Sequence, residues 1–195
     1  MHMKTTIILS CMLVGGSLVA KFHNSTTTKT TALPAYTANT AHKLLSMPIP
    51  PLRIVIEKQK YELSVYDTKG WYATYPVVFG NSSLADKRME GDKNTPEGTF
   101  RIVNKRVHDK WDRYMGLDYP TPESIARFQE RKRRGEIPAW ATPGAGVGIH
   151  GTWPHEDFVI DRYKNWTDGC ISLKRADVED LYSYIPIGTP VIIKK

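Results

Sequence analysis

The chain has 195 residues, of which 27 are Lys or Arg and 20 are Asp or Glu, so its formal net charge is +7. Residues 1–50 hold four of the lysines and no acidic residue, which leaves 23 of the 27 basic residues, a net +3, in residues 51–195. The length fits one domain with its own core. Nucleic-acid binders concentrate positive charge on one surface with a matching motif, so we expect no nucleic-acid partner.

The N-terminal region is typical of a targeting segment followed by a linker. Residues 7–20 are largely apolar, and fourteen residues are too few to span a bilayer but fit the core of a signal peptide. For residues 1–20 we predict a cleaved signal, with an uncleaved membrane anchor and a lipoprotein signal at Cys11 as alternatives. Residues 21–50 hold seven threonines and end in prolines, which favours a flexible linker before a domain over 51–195.

Alternating apolar and polar residues predict strands at the start of this domain. The alternation begins at Arg53 and again at Tyr61, where it stops at Tyr66, and the turn Asp67–Gly70 leads into a third strand over 71–79. These segments predict an antiparallel meander with one face on the core.

A fourth strand is predicted over 99–103. The residues after it, 104–120, place Trp111 and Tyr114 among charged residues. We predict an irregular loop here, whose aromatic side chains either fill the core or form the wall of a cleft.

Further elements complete an α+β, β-rich domain. A helix should begin after Thr121, a good N-cap before proline, and end before Gly135. Residues 146–149 predict a short strand, and residues 191–193 predict a closing strand. Between them, apolar residues at helical spacing predict an amphipathic helix: Val178, Leu181, Tyr182 and Ile185.

Cys170 is the only cysteine outside the N-terminal segment, so the domain holds no partner for a disulfide or a thiolate metal cluster. Gly169 permits a tight turn, on which the N–H groups of Gly169 and Cys170 could stabilise an oxyanion. The residue types leave two interpretations open, a small buried hydrophobic residue or a nucleophile that needs a base. The candidate base is His150, before Gly151 and Thr152; taken alone, a histidine after a strand is more often a structural residue, and the pairing of the two motifs favours the catalytic interpretation.

Four short motifs, taken in order, resemble those of the L,D-transpeptidase catalytic domain family (YkuD type). Several motifs in order are far more specific than one. The resemblance runs from about Arg53 to Lys195 and implies a β-sheet domain with one or two packed helices. The motifs are Thr95-Pro96-Glu97-Gly98, His150-Gly151-Thr152, Thr167-Asp168-Gly169-Cys170-Ile171 and Gly188-Thr189-Pro190-Val191.

The resemblance implies a cysteine acyltransferase that acts on peptidoglycan stem peptides outside the cytoplasm, with no metal or other cofactor. In the family, the attacked carbonyl precedes a terminal D-residue. Cys170 would be the nucleophile and His150 the general base, oriented by the Gly151 carbonyl, with Gly169 supplying an oxyanion N–H. The substrate-binding residues that the resemblance implies are Thr152, Tyr114, Asp168 and Ser172.

Two positions depart from the family pattern. Many members carry His directly before the Gly-Cys and Arg two residues after the Cys, where this chain has Asp168 and Ser172. Arg binds carboxylates bidentately, so a substrate carboxylate would need another group. This form of the motif resembles a subgroup that includes a murein-associated hydrolase. A hydrolase (amidase or carboxypeptidase) is therefore one alternative, and an inactive wall-binding module is a second.

A zinc site from His150, His155 and Cys170 is a further alternative. Its spacing matches no metal motif that we recognise. We predict instead that His155 is an exposed loop residue.

Overall fold

The computed structural model describes residues 46–195, which form one eight-stranded sheet and three helices. The predicted α+β, β-rich class is confirmed, with three helices where one or two were expected. The predicted signal segment (1–20) and most of the predicted linker (21–50) lie outside the described residues. The elements are β1 (Arg53–Glu57), β2 (Glu62–Asp67), β3 (Gly70–Pro76), β4 (Gly98–His108), β5 (Asp112–Leu117), α1 (Pro122–Arg133), β6 (Gly148–Gly151), the single-turn α2 (Phe158–Asp161), β7 (Ile171–Leu173), α3 (Arg175–Tyr184) and β8 (Pro190–Lys194).

Strands β1, β2 and β3 form the predicted antiparallel meander. Ile54 and Ile56 of β1 have no exposed surface, and Leu63 and Val65 of β2 join them in the core. The pairing of β2 with β3 shifts between Val65 and Tyr66, where the sequence alternation stops. A β-bulge has this effect, because one extra residue changes the face to which the next side chains point.

Strand β8 lies inside the sheet, whose order is β3-β2-β1-β8-β4-β5-β6-β7. It runs parallel to β1 and antiparallel to β4, so it joins the meander to the half of the sheet that carries His150. Val191 and Ile193 of β8 are buried in the main core with Val178 and Leu181 of α3. The predicted closing strand and amphipathic helix are confirmed.

The segment 104–120 is largely a β-hairpin, so the loop prediction was wrong. Strand β4 continues to His108, well past the predicted end, and β5 pairs with it in antiparallel register. The intervening turn contains no glycine or proline; Asp112 adopts the left-handed conformation instead (φ 63°), which Asp tolerates better than most residues. Tyr114 to Leu117 are all buried, so β5 lacks the alternation that marks a half-exposed strand.

The two outer ends of the sheet approach each other after β3. This strand ends at Pro76, short of the predicted end at Phe79. Beyond it, Val78 exchanges two backbone hydrogen bonds with Ser172 of β7, at 3.0 and 2.9 Å. Because β3 and β7 are the first and last strands in the sheet order, this bridge makes the sheet nearly barrel-shaped.

Helix α1 has the predicted ends. Thr121 Oγ1 accepts a hydrogen bond from Ser124 N–H at 3.2 Å, and Gly135 follows the helix with φ +68°. Its basic last turn is partly paired, with Arg131 2.6 Å from the Asp86 carboxylate. None of the helices within residues 46–195 combines the length and apolar character needed to cross a membrane.

The last residues of the predicted linker contact the domain. Ile49 N–H donates to the Asp67 carboxylate at 3.0 Å, and the Ile49 carbonyl accepts from Thr68 N–H at 3.2 Å. The Tyr72 hydroxyl donates to the Ser46 carbonyl at 3.1 Å. The packed part of the domain therefore extends back to residue 46.

Lys58, in the predicted turn after β1, is fully buried. Its Nζ lies 2.7 Å from Glu97 Oε1 and donates to the carbonyls of Ala85 and Thr95. A buried charge is tolerated when it is paired and hydrogen-bonded. These bonds hold part of the long connection between β3 and β4, residues 77–97, against β1.

Candidate active site

Two neighbouring strands bring His150 and Cys170 to one face of the sheet. Strands β6 and β7 are parallel, with His150 opposite Ser172. Extending this register places Cys170 opposite Gly148, two residues before His150. Side chains two residues apart on a strand point to the same face, so the thiol and the imidazole project on the same side.

The Cys170 thiol is free and partly buried. Its sulfur lies 3.6 Å from the Gly146 carbonyl oxygen, to which the S–H can donate, and it accepts a hydrogen bond from Gly148 N–H. Burial raises the pKa of the thiol, and this effect outweighs the lowering by the Gly148 N–H. The resting form is therefore the neutral thiol.

His150 is buried among aromatic rings. Its Nδ1 lies 2.8 Å from the Gly151 carbonyl oxygen. Trp111 stacks on the imidazole with 4.5 Å between ring centroids, and Trp166 meets it edge-on at 5.6 Å. Burial lowers the pKa of His150 from its ordinary value of 6.5 to about 4, although the Gly151 carbonyl acts in the opposite direction. The imidazole is therefore neutral at pH 7.

The Gly151 carbonyl determines which nitrogen of His150 can act as a base. A carbonyl oxygen only accepts hydrogen bonds, so Nδ1 must carry the proton. The lone pair of the neutral ring then lies on Nε2. A neutral thiol and a neutral base on one face can transfer a proton at the moment of nucleophilic attack.

The segment Thr167–Cys170 is held by hydrogen bonds within itself. Thr167 Oγ1 donates to the Cys170 carbonyl at 2.8 Å and accepts from Gly169 N–H at 3.2 Å. Gly169 has φ +123°, and a Cβ there would lie 2.8 Å from the Asn94 carbonyl oxygen. The Gly169 N–H, which the resemblance assigns to the oxyanion, thus already has an acceptor. Of the two N–H groups expected at the oxyanion, only Cys170 N–H then remains as a candidate donor.

Gly80 allows this segment to pack tightly. A Cβ on Gly80 would lie 2.2 Å from the Lys93 carbonyl oxygen, 2.6 Å from that of Thr167 and 2.8 Å from Gly169 N. Only glycine permits so close an approach of backbone segments. Gly80 was not among the predicted site residues, although a glycine that ends a strand-like run is a signal of close backbone approach.

Tyr114 and Thr152 lie beside the His150 and Cys170 pair. Tyr114 is buried in β5 opposite His150, and its hydroxyl donates to the Gly146 carbonyl at 2.9 Å. Thr152 is buried directly after Gly151, and its hydroxyl donates to the Asp157 carboxylate. The hydroxyls of both residues are already bonded to the protein.

Asp168 and Ser172 occupy very different environments. The Asp168 side chain is 90% exposed, and its carboxylate lies 3.5 Å from Lys93 Nζ. Ser172 is fully buried, and its hydroxyl has no hydrogen-bond partner among residues 46–195. The structure therefore brings Asp168, but not the Ser172 side chain, to the surface beside Cys170.

Two tryptophans contact His150, and sequence reasoning identified only one of them as a candidate wall residue. Trp111 follows β4, and its carbonyl accepts from Gly151 N–H at 3.0 Å. Trp166 was missed, although it directly precedes the Thr167–Cys170 motif. The indole N–H of each is buried without a partner in the described part of the chain.

His155 lies on the surface, as predicted, and away from any metal-ligand set. Within residues 46–195 no group of three or more His, Cys, Asp or Glu side chains is arranged to hold a metal ion. The structure therefore does not assemble the zinc site that was considered for His150, His155 and Cys170.

Comparison of the sequence with known protein families identifies the family that the four motifs resemble. The sequence profile of the YkuD family, described as the L,D-transpeptidase catalytic domain, matches residues 51–193. A protein of Bacillus subtilis (strain 168) named "Putative L,D-transpeptidase YqjB" is 27% identical over 142 residues, which are 72% of this chain and 69% of that protein.

Several solved structures share the fold, among them the following two. The helical cell shape determining protein Pgp2 from Campylobacter jejuni is 22% identical with a TM-score of 0.55, over 74% of this chain and 47% of that one. Bd1075 from Bdellovibrio bacteriovorus is 18% identical with a TM-score of 0.50, over 75% of this chain and 48% of that one. This chain thus spans about half the length of either protein. From the profile match over residues 51–193, the chain belongs to the L,D-transpeptidase catalytic domain family.

Proposed function

We propose that this protein is a cysteine acyltransferase that acts on peptidoglycan stem peptides outside the cytoplasm, with Cys170 carrying the acyl group as a thioester. The observation that carries the proposal is the partly buried thiol on the same face of the sheet as a buried, neutral His150 whose Nδ1 is held by the Gly151 carbonyl. Family membership supports peptidoglycan as the substrate class. The signal or anchor predicted in residues 1–20 would direct the domain to that compartment.

The first half-reaction forms the thioester. As the Cys170 sulfur attacks the peptide carbonyl, its proton moves to His150 Nε2. Charge then appears only as the S–C bond forms, and the imidazolium and the oxyanion stabilise each other in a site of low dielectric. Cys170 N–H is the backbone donor proposed for the oxyanion. The C–N bond then breaks, and the leaving amine takes the proton from His150.

The second half-reaction releases the acyl group. An acceptor amine attacks the thioester carbonyl while the neutral His150 Nε2 takes its proton. The C–S bond breaks, and the imidazolium returns the proton to the Cys170 sulfur. With an amine the product is a new peptide cross-link; with water in the same place it is a carboxylic acid.

The thioester step is tested by intact mass after incubation with a carbapenem, whose strained amide presents an electrophilic carbonyl. We expect an adduct on the wild type, none on Cys170→Ala, and acylation of His150→Ala slowed by roughly 10²–10⁴. The exposed His155→Ala serves as the matched control and should react like the wild type. Equal labelling of Cys170→Ala would refute the assignment of the nucleophile.

Transfer is tested with defined muropeptides and increasing concentrations of an amine acceptor. A transferase divides its product between amide and acid in proportion to the amine. Acid alone at every amine concentration identifies a hydrolase that uses the same thioester. If the wild type gives neither adduct nor product, the inactive wall-binding module replaces both enzyme readings.

A further inference from the structure

A row of four side chains crosses the sheet on the face that carries the thiol and the imidazole. The strand registers pair Arg106 of β4 with Tyr114 of β5, Tyr114 with His150, and His150 with Ser172. Residues paired across strands point to the same face, so Arg106 stands on the side of the sheet that holds His150. The preceding residue, Lys105, points the other way, onto the end of α3.

Arg106 is exposed, and the described part of the chain gives it no acidic partner. Its guanidinium carbon lies 4.7 Å from the centroid of the Tyr114 ring, and no carboxylate from residues 46–195 lies within 4.0 Å of its nitrogens. By contrast, Arg113 on the next strand pairs with both Asp112 and Glu179. Contact with the tyrosine ring orients the planar guanidinium and leaves its N–H groups available to an anion.

A single ring separates this guanidinium from the thiol. Tyr114 packs over Gly148, where a Cβ would lie 2.5 Å from the ring carbon Cζ, and its hydroxyl donates to the Gly146 carbonyl. The same carbonyl oxygen lies 3.6 Å from the Cys170 sulfur. Burial raises the pKa of Tyr114 to about 12, so the phenol stays neutral and does not cancel the charge of Arg106.

Asn104 adds a second polar group to this surface. It lies two residues before Arg106 on β4 and is exposed on the same face. Its amide occupies the space beside Gly116, where a Cβ would lie 2.5 Å from Asn104 Nδ2. The amide can donate a hydrogen bond to an anion bound by Arg106.

We propose that Arg106 binds a carboxylate of the peptide substrate and sets a preference for peptides with a free carboxyl terminus close to the attacked bond. This inference rests on the proposed function. If the attacked carbonyl precedes the terminal residue, the free carboxylate lies one residue away, a span of about 3.3–3.6 Å. Ser172, at the position where many family members carry Arg, is buried and uncharged, so it offers this carboxylate no charge.

The carboxylate can belong to the acyl donor or to the acceptor, because both are stem peptides. The donor is tested by binding, in the Cys170→Ala background, of a stem tetrapeptide ending in D-alanine and of its C-terminal amide. We expect the acid to bind about tenfold more tightly than the amide, as for a charge-assisted hydrogen bond at a partly exposed site. Adding Arg106→Gln should reduce the ratio of the two dissociation constants to near one.

A control with the same charge change separates this effect from general electrostatics. Arg133, exposed in the last turn of α1, is paired with Glu130, and Arg133→Gln should keep the acid-to-amide ratio. The acceptor is tested by kcat/KM of the wild type and Arg106→Gln with acid and amide forms of the acceptor. Loss of the ratio in either arm supports the inference and identifies which carboxylate is bound.

The outcomes also distinguish this inference from the proposed function. A fall in affinity that is equal for acid and amide, in both arms, would show that Arg106 only supports Tyr114, and it would overturn the inference. Discrimination in binding without turnover by the wild type would leave the Arg106 site standing and defeat the acyltransferase. Absence of donor binding, together with absence of turnover by the wild type, would overturn both.

Discussion

Acidification should destabilise this protein through His150. In the folded domain the pKa of His150 is lowered to about 4, whereas in the unfolded chain it returns to its ordinary value of 6.5. Between these values the unfolded chain binds a proton at His150 that the folded domain does not bind. The free energy of unfolding therefore decreases as the pH falls from about 6.5 to about 4. Above pH 6.5 His150 is neutral in both states, and its contribution to stability is fully present.

The expected loss at pH 4 is about 3 kcal/mol, since each pH unit between the two pKa values is worth about 1.36 kcal/mol. Only 2% of His150 is exposed, so solvent screens this effect little. A loss of this size is a large fraction of the stability of an ordinary domain.

The assay is urea unfolding of the wild type, His150→Gln and His155→Gln at pH 7 and pH 4. Carboxyl groups titrate over the same range in all three proteins, so the comparison isolates the histidine. The loss of stability between the two pH values should be smaller in His150→Gln by about 3 kcal/mol, and unchanged in the exposed His155→Gln. The same pH dependence in all three would show that His150 protonates as readily in the folded domain as in the unfolded chain.

Two further predictions concern the environment of the thiol. Gly80→Ala should lower the carbapenem acylation rate of Cys170 by roughly a hundredfold, because the new methyl group displaces the backbone at Thr167 and Gly169. In the same connection, Ser82→Ala changes only an exposed side chain and should retain the rate; equal rates in both variants would contradict this account. The rate at which iodoacetamide alkylates Cys170 should rise with pH around a midpoint above that of a free cysteine, about 8.5, because burial raises the pKa of the thiol. A midpoint near neutrality would instead indicate that the resting thiol is a thiolate.

Sequence patterns predicted the elements that have one exposed face. Ile54 and Ile56 alternate with polar residues, and Val178 and Leu181 repeat at helical spacing, because each element is buried on one side only. Strand β5, which lies between β4 and β6, was missed because Tyr114 to Leu117 are buried on both faces of the sheet. Such a strand shows no periodicity in its sequence, and the preceding turn lacks the glycine or proline that would have indicated a turn.

The sequence predicted only those site residues that lie in short motifs of neighbouring residues. His150 and Cys170 stand in short glycine-flanked motifs, whereas Trp111 on the imidazole and the Gly146 carbonyl at the sulfur come from distant parts of the chain. Lys58 shows the same limit in the core, since its partner Glu97 lies in a different segment and its burial could not be inferred from the turn that holds it. Gly80 acquires its role only when the backbone around Lys93 and Thr167 is folded against it.

The position of β8 has a consequence for the order of folding. This strand follows all the other strands in the chain, yet it lies between β1 and β4 and makes the only ladder contacts that join the two halves of the described sheet on that side. On that side of the sheet, the meander and the β4–β7 half are joined only once Pro190–Lys194 pair with both β1 and β4. Contacts so distant in sequence slow folding, so we expect the pairing of β8 with β1 to form late.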